Sequence, residues 1–160
     1  MQPVLQAEAR RQFSSSTTTT VFPGVCGMTV CSARSNGLSP GTLEEYVKLH
    51  PDQRESFDAI VSTLVLCSVD SVAANIGFAH ALLKPGGALV VLEHVRCREG
   101  SLGARIQALI TPAWRLFSGS CNLDHDTDCQ IAKSGLFDAS LSVSSSAILP
   151  IASGVVTKRK

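Results

Sequence analysis

An α/β fold organised on a parallel βαβ unit is predicted by three features of this 160-residue sequence. Residues 57–66, FDAIVSTLVL, are near-continuously apolar and β-branched, which suits a strand covered on both faces better than one half in water. Residues 88–95, ALVVLEHV, repeat that pattern. Between the two runs Val72, Ile76, Ala79, Leu82 and Leu83 recur at helical spacing, with Asp70 or Ser71 in position to cap. Lys84-Pro85-Gly86-Gly87 stop the helix, because proline cannot continue the ladder and glycine tolerates the left-handed exit. Strand, helix and strand in close succession imply a right-handed crossover with parallel strands. The carboxyl ends of such strands face the ligand crevice, which puts residues 63–66 of one strand and Glu93 and His94 of the next on its rim.

The remaining elements follow in order. Residues 1–24 read as a disordered low-complexity leader, since the SSSTTTT run has too little apolar surface to offset the entropy of ordering it. Arg10, Arg11 and the serines give this leader a faint transit-peptide character, against which stand Glu8 and the lack of amphipathicity. The folded domain is expected over residues 25–160. VCGMTVCSA, residues 25–33, reads as a short strand followed by the turn-rich RSNGLSPG. TLEEYVKLH, residues 42–50, reads as a short helix, with Thr42 and Glu45 at capping-box spacing and Pro51 beyond its end. In residues 101–117, Leu102, Ile106, Leu109, Ile110, Trp114 and Phe117 share a helical face, which predicts a core-facing helix that Pro112 kinks. Residues 121–137 read as a loop and a capped short helix ending near Gly135. Two β-leaning segments, 139–148 and 152–159, are then expected to close the sheet as an antiparallel hairpin or strand pair.

Composition narrows the function. The formal net charge is only +1, and the basic residues are scattered apart from the terminal TKRK, so nucleic acid is excluded as a partner. No apolar run approaches the ~18 residues of a membrane span. The six cysteines form no C-x-x-C pair, and several sit inside apolar patterns. They read as buried free thiols, Cys67 and Cys121 among them, of a reducing compartment, with the cytoplasm as the default. DHDTDC, residues 124–129, invites a metal reading, but its spacing matches no structural zinc pattern and an Asp/Thr cluster before a helix is usually a cap, so no metal is expected. Glu93 and His94 admit two readings. They are either a substrate contact and general base, the histidine accepting a proton as a thiol or hydroxyl attacks, or a satisfied structural pair at a strand exit. Hydrolytic and metal-dependent chemistry is set aside because neither G-x-S-x-G nor a zinc signature occurs.

SFDAIVSTLVLCSVDS and LLKPGGALVVLEHV, followed by TPAW and CNLDHDT, resemble the C-terminal portion of class I S-adenosylmethionine-dependent methyltransferases. The resemblance is to the type 11 group of ubiquinone/menaquinone-pathway enzymes, and within it to the methyltransferase-like proteins that alkylate small thiols. It covers residues 28–160 and implies a partial Rossmann-like sheet of strands 3 to 7 that lacks the first βα unit. Residues 28–31 would be the third strand, 57–66 the fourth, 88–93 the fifth, and the terminal segments the sixth and seventh. The implied cofactor is S-adenosylmethionine and the implied partner a small-molecule acceptor with a thiol, hydroxyl or quinol-like group. Ser32 and Ala33 stand where the family has an acid-alanine pair against the adenine, so only a backbone contact would survive there. Thr63 and Leu64 match the cofactor side of the fourth strand, and Asn122 and His125 fall on the substrate side.

The family's glycine-rich loop and ribose-binding acid have no counterpart, for Gly24 and Gly27 in PGVCG have the wrong spacing. The chain is therefore expected to be a truncated member whose fourth strand exposes an apolar edge, or a remnant that needs a partner chain to complete the sheet. Two functions follow: a methyltransferase acting on a small molecule, or a non-catalytic fragment serving as an interaction module.

Overall fold

The computed structural model describes residues 18–21, 28–32, 42–118, 121–138 and 141–159. Its centre is the expected parallel unit. Strand β3 (Phe57–Thr63) lies beside β4 (Leu83–His94), with Ile60 opposite Leu89 and Thr63 opposite Leu92. Helix α2 (Val72–Leu82) makes the crossover, and the Ser71 hydroxyl caps it by accepting from Ala74 N at 3.2 Å. It ends at Leu82, so Pro85-Gly86-Gly87 fall within β4, where the register shifts against Phe57 and Ala59. Helix α1 (Leu43–Leu49) has the capping box: Glu45 N donates to Thr42 Oγ1 and Thr42 N to Glu45 Oε2.

Strand β7 (Ile151–Lys158) runs antiparallel on the other side of β4, and the short strands β5 (Phe137–Asp138) and β6 (Ser142–Val143) pair with β7. The terminal segments thus close the sheet as the β-leaning pattern predicts. Helix α4 (Thr127–Ser134) ends at Gly135 with φ 67, the left-handed exit glycine takes without strain. Its start differs from expectation. Asp126 makes no cap bond to the helix backbone and its carboxylate instead accepts from the Gln130 side chain at 2.7 Å, while Thr127 Oγ1 is buried without a hydrogen-bond partner. The main core lies between the sheet and α1, α2 and α4, where Phe57, Ile60, Ile76, Leu89, Ile131 and Phe137 are fully buried.

Three sequence expectations change. Within the stretch assigned to a leader, Thr18–Val21 form strand β1, and the other residues of that stretch lie outside the described ones. Strand β1 pairs antiparallel with β2 (Met28–Ser32), which pairs antiparallel with β3. The segment read as a third strand is therefore the immediate neighbour of the fourth. A strand as apolar as β3 gains a ladder of hydrogen bonds there, and the edge expected to be bare is covered.

Helix α3 (Leu102–Ser118) departs most, because Leu109 is 81% and Phe117 90% exposed while Gln107 and Thr111 face inward. The inward place goes to Gln107 because irregular backbone needs partners there. Its Oε1 accepts from Cys97 N at 2.7 Å, and its Nε2 donates to Val95 O at 3.3 Å and Ile148 O at 2.9 Å. Gly103 lets the helix approach that loop, since a Cβ would collide with Ala147 O and come within 2.9 Å of Cys97 Sγ. No helix among the described residues is long and apolar enough to cross a membrane.

Gly103→Ala is accordingly expected to destabilise the fold by about 3 kcal/mol in urea unfolding, because α3 must lift off the 144–150 segment. A second expectation concerns pH. His80 packs edge-on against Phe137, and burial, then the charge of Lys158, push its pKa down while Glu55 pulls it up. The unfolded chain then binds the extra proton, so stability is lost as pH falls through the ordinary histidine range. The drop in Tm between about pH 7.5 and 5.5 should shrink in His80→Phe.

Candidate functional site

The parallel pairing of β3 with β4 brings their carboxyl ends side by side, and the residues that follow form the rim. Glu93, next to last in β4, is fully buried. Its Oε1 accepts from Ser62 Oγ at 2.6 Å and from Val65 N at 3.0 Å, and its Oε2 from Cys67 N at 3.3 Å. The two amides are donors to the carboxyl oxygens, and the Ser62 hydroxyl closes on one of them at hydrogen-bond distance. Burial pushes the Glu93 pKa up, while the Ser62 hydroxyl and the amides of residues 65–67 oppose the rise. To turn those amides inward the chain enters the left-handed region at Leu64, φ 56, whose N–H donates to Leu92 O at 2.8 Å. Glu93 is thus a positioning residue whose carboxylate shapes the turn after β3.

That turn carries Cys67 into contact with two groups far away in sequence. Cys121 Sγ lies 3.2 Å from Cys67 Sγ and 3.7 Å from His94 Nδ1. Both cysteines are buried free thiols, His94 is half-buried, and Trp114 packs on the pair with its Nε1 buried and lacking a conventional partner. Contact with Cys67 holds the Cys121 thiol down at about 5 against the opposing pull of burial, with His94 and Trp114 adding to the lowering. The same contact, then burial, drives the Cys67 thiol up. Cys97 is a third buried free thiol, and Cys129 is exposed.

The loop after α3 is clipped to this turn by its backbone. Asn122 N donates to Cys67 O at 2.7 Å, His125 Nδ1 lies 3.3 Å from Leu66 O, and Arg96 N donates to His125 O at 2.8 Å. Asn122 and His125, both half-buried, therefore stand on the same rim as Thr63, which is exposed, and Leu64. Ser32 does not. Strand β2 runs antiparallel to β3, with Met28 opposite Ser62 and Cys31 opposite Ala59, so Ser32 ends at the far side of the sheet. Ala33 lies outside the described residues.

The cluster of Cys67, His94 and Cys121 escaped sequence reasoning. Its members come from three elements and match no local spacing. The two cysteines carry only the signal of buried free thiols, which says nothing of their meeting.

The carboxylate's role can be measured by unfolding. Glu93→Ala leaves a hydroxyl and two amides without an acceptor and opens a cavity, so a loss of about 4 kcal/mol is expected. Ser62→Ala removes one donor of three and should lose only about 1 kcal/mol.

Comparison with known proteins bears on what this rim does. Thiol S-methyltransferase TMT1B of Rattus norvegicus is 36% identical over 86 residues, 54% of this chain and 35% of that protein. Thiol S-methyltransferase TMT1A of Homo sapiens is 34% identical over 79 residues, 49% of this chain and 32% of that one. The matched region thus spans about a third of the length of these curated relatives. Among solved structures, a SAM-dependent methyltransferase from Thermotoga maritima matches with a TM-score of 0.51 at 22% identity, over 79% of this chain and 66% of that one. The CurJ carbon methyltransferase matches with a TM-score of 0.50 at 16% identity, over 80% of this chain and 36% of that one. Both matches concern the fold. A family model described as a methyltransferase domain matches residues 8–127, and with its βαβ core and rim the chain belongs to that methyltransferase family.

Proposed function

We propose that this protein transfers the methyl group of S-adenosylmethionine to the sulfur of a small-molecule thiol. The observation that carries the reading is the 36% identity to a thiol S-methyltransferase, within a chain whose family is that of methyltransferase domains. Among the described residues, the exposed Thr63 and the left-handed Leu64 at the carboxyl end of β3 suit one wall of a cofactor crevice. When bound, that cofactor supplies a methyl group on a sulfonium sulfur, which is a good leaving group. The protein's part is to hold the acceptor in line and keep water away. Glu93 holds the turn behind Leu64, His94 faces the acceptor side of the rim, and Asn122 and His125 border the acceptor.

The test is calorimetric titration of the full chain with S-adenosylhomocysteine, followed by product analysis with a small alkyl thiol, a phenol and an amine. Binding, and a thioether as the main product, are expected. Thr63→Arg should weaken S-adenosylhomocysteine binding about tenfold or more with an unchanged Tm, because its side chain is exposed and the change reaches only the crevice wall. Methylation of the phenol or amine in preference to the thiol would overturn the thiol assignment. A folded chain that binds no S-adenosylhomocysteine would overturn the enzyme reading and leave a methyltransferase-fold interaction module.

A further inference from the structure

We propose that Cys67, His94 and Cys121 form a zinc site with three protein ligands, whose fourth coordination position takes a thiol. The zinc site itself stands on geometry, and only the identity of the fourth ligand rests on the thiol acceptor proposed above. One ligand atom from each residue, the two sulfurs and an imidazole nitrogen, lies within 4.8 Å of the other two. With bonds of about 2.3 Å to sulfur and 2.0–2.1 Å to nitrogen, a tetrahedral zinc ion needs edges of about 3.8 Å between sulfurs and about 3.6 Å between sulfur and nitrogen. The Cys121 to His94 separation of 3.7 Å already fits such an edge. The sulfur pair at 3.2 Å must open by about half an ångström, within reach of small side-chain torsions.

Donor chemistry selects the metal. Two thiolates and an imidazole suit zinc, whereas magnesium and calcium take sets of hard oxygen donors, to which the Ser68 hydroxyl 3.6 Å from Cys67 Sγ would add a single neutral one. Charge agrees with burial: Cys67 is 0% and Cys121 4% exposed, and two thiolates with one dication sum to zero. The ligands are also held in place. Cys67 N is fixed by the Glu93 carboxylate, Cys67 O accepts from Asn122 N, next to Cys121, and His94 follows Glu93 directly on β4.

Three protein ligands leave an open position, the arrangement of zinc sites that act on a bound ligand. His94 is the least buried of the three, and the cluster sits on the same strand-end rim as Thr63 and Leu64. A thiol R–SH entering the open position gives its proton to solvent and stays as a zinc-bound thiolate. No side-chain base is then needed, and His94 acts as a ligand instead of a proton acceptor.

The test uses the reduced full chain, titrated with zinc and, as a spectroscopic stand-in, with cobalt(II). One ion per chain, with thiolate-to-cobalt charge-transfer bands and the intense visible bands of four-coordinate cobalt, is expected. Cys67→Ser, Cys121→Ser and His94→Gln should each weaken zinc binding by more than about 100-fold, beyond what loss of a supporting hydrogen bond does, while Cys129→Ser leaves it unchanged. The wild-type titration decides the site even where a variant unfolds. A small monothiol should shift the visible cobalt bands. A folded, reduced chain that binds neither ion overturns the site, as does one whose only reaction is oxidation of Cys67 and Cys121 to a disulfide. Stoichiometric binding with no thiol-dependent shift overturns the fourth-ligand assignment. Thiol methylation by metal-free protein at the rate of the zinc-loaded chain would sink the fourth-ligand assignment and leave the proposed function standing. Zinc binding in a chain that methylates only hydroxyls or amines would sink the proposed function and leave the zinc site standing.

Discussion

The rim of this fold depends on one buried carboxyl group. Glu93 lies wholly inside the protein with three donors on its carboxylate. A carboxyl group tolerates such burial only when it is hydrogen-bonded. Two of the donors are backbone amides just past the end of β3, so the carboxylate dictates how the chain turns there. The left-handed backbone at Leu64 is the local expense of aiming those amides at it. The residues that line the rim, from Thr63 to Cys67, are consequently placed by a side chain on the neighbouring strand.

The rest of the rim builds on that turn. Cys67 O and Leu66 O, fixed by the turn, become acceptors that hold the loop containing Asn122 and His125. The sulfur of Cys121 meets that of Cys67 because the two loops are joined at their backbones. On the other side, Gln107 ties the exit of β4 to the segment before β7, so helix α3 is anchored by an amide. The outcome is a mostly polar scaffold under a chemically soft cluster. Hydrogen bonds specify direction more sharply than apolar contact does, and a site that holds reactive groups in one geometry needs direction.

Much was legible in the sequence. The apolar runs at 57–66 and 88–95 read as buried strands, the spacing between them reads as a helix, and the Thr42 and Glu45 capping box is a local signal with a local cause. Helix α3 was misread because periodicity reports where apolar groups could be buried and says nothing of what needs a partner. Backbone groups at 95, 97 and 148 competed for the inward face, and Gln107 answered them. Ser32 was misplaced because a strand's direction in the sheet is not written in its own residues.

The amino-acid sequence alone determined the α/β class, the parallel crossover, the placing of Glu93 and His94 at a strand end, and the family resemblance. These rest on short-range pattern and on connection rules that hold for any chain. Tertiary structure decided that Glu93 is locked behind the rim, that β2 covers the edge of β3, and that Cys67, His94 and Cys121 share one small volume. Each of these is a meeting of residues from separate elements, set by loop path and hydrogen bonding, and a one-dimensional pattern carries no measure of which distant residues will touch.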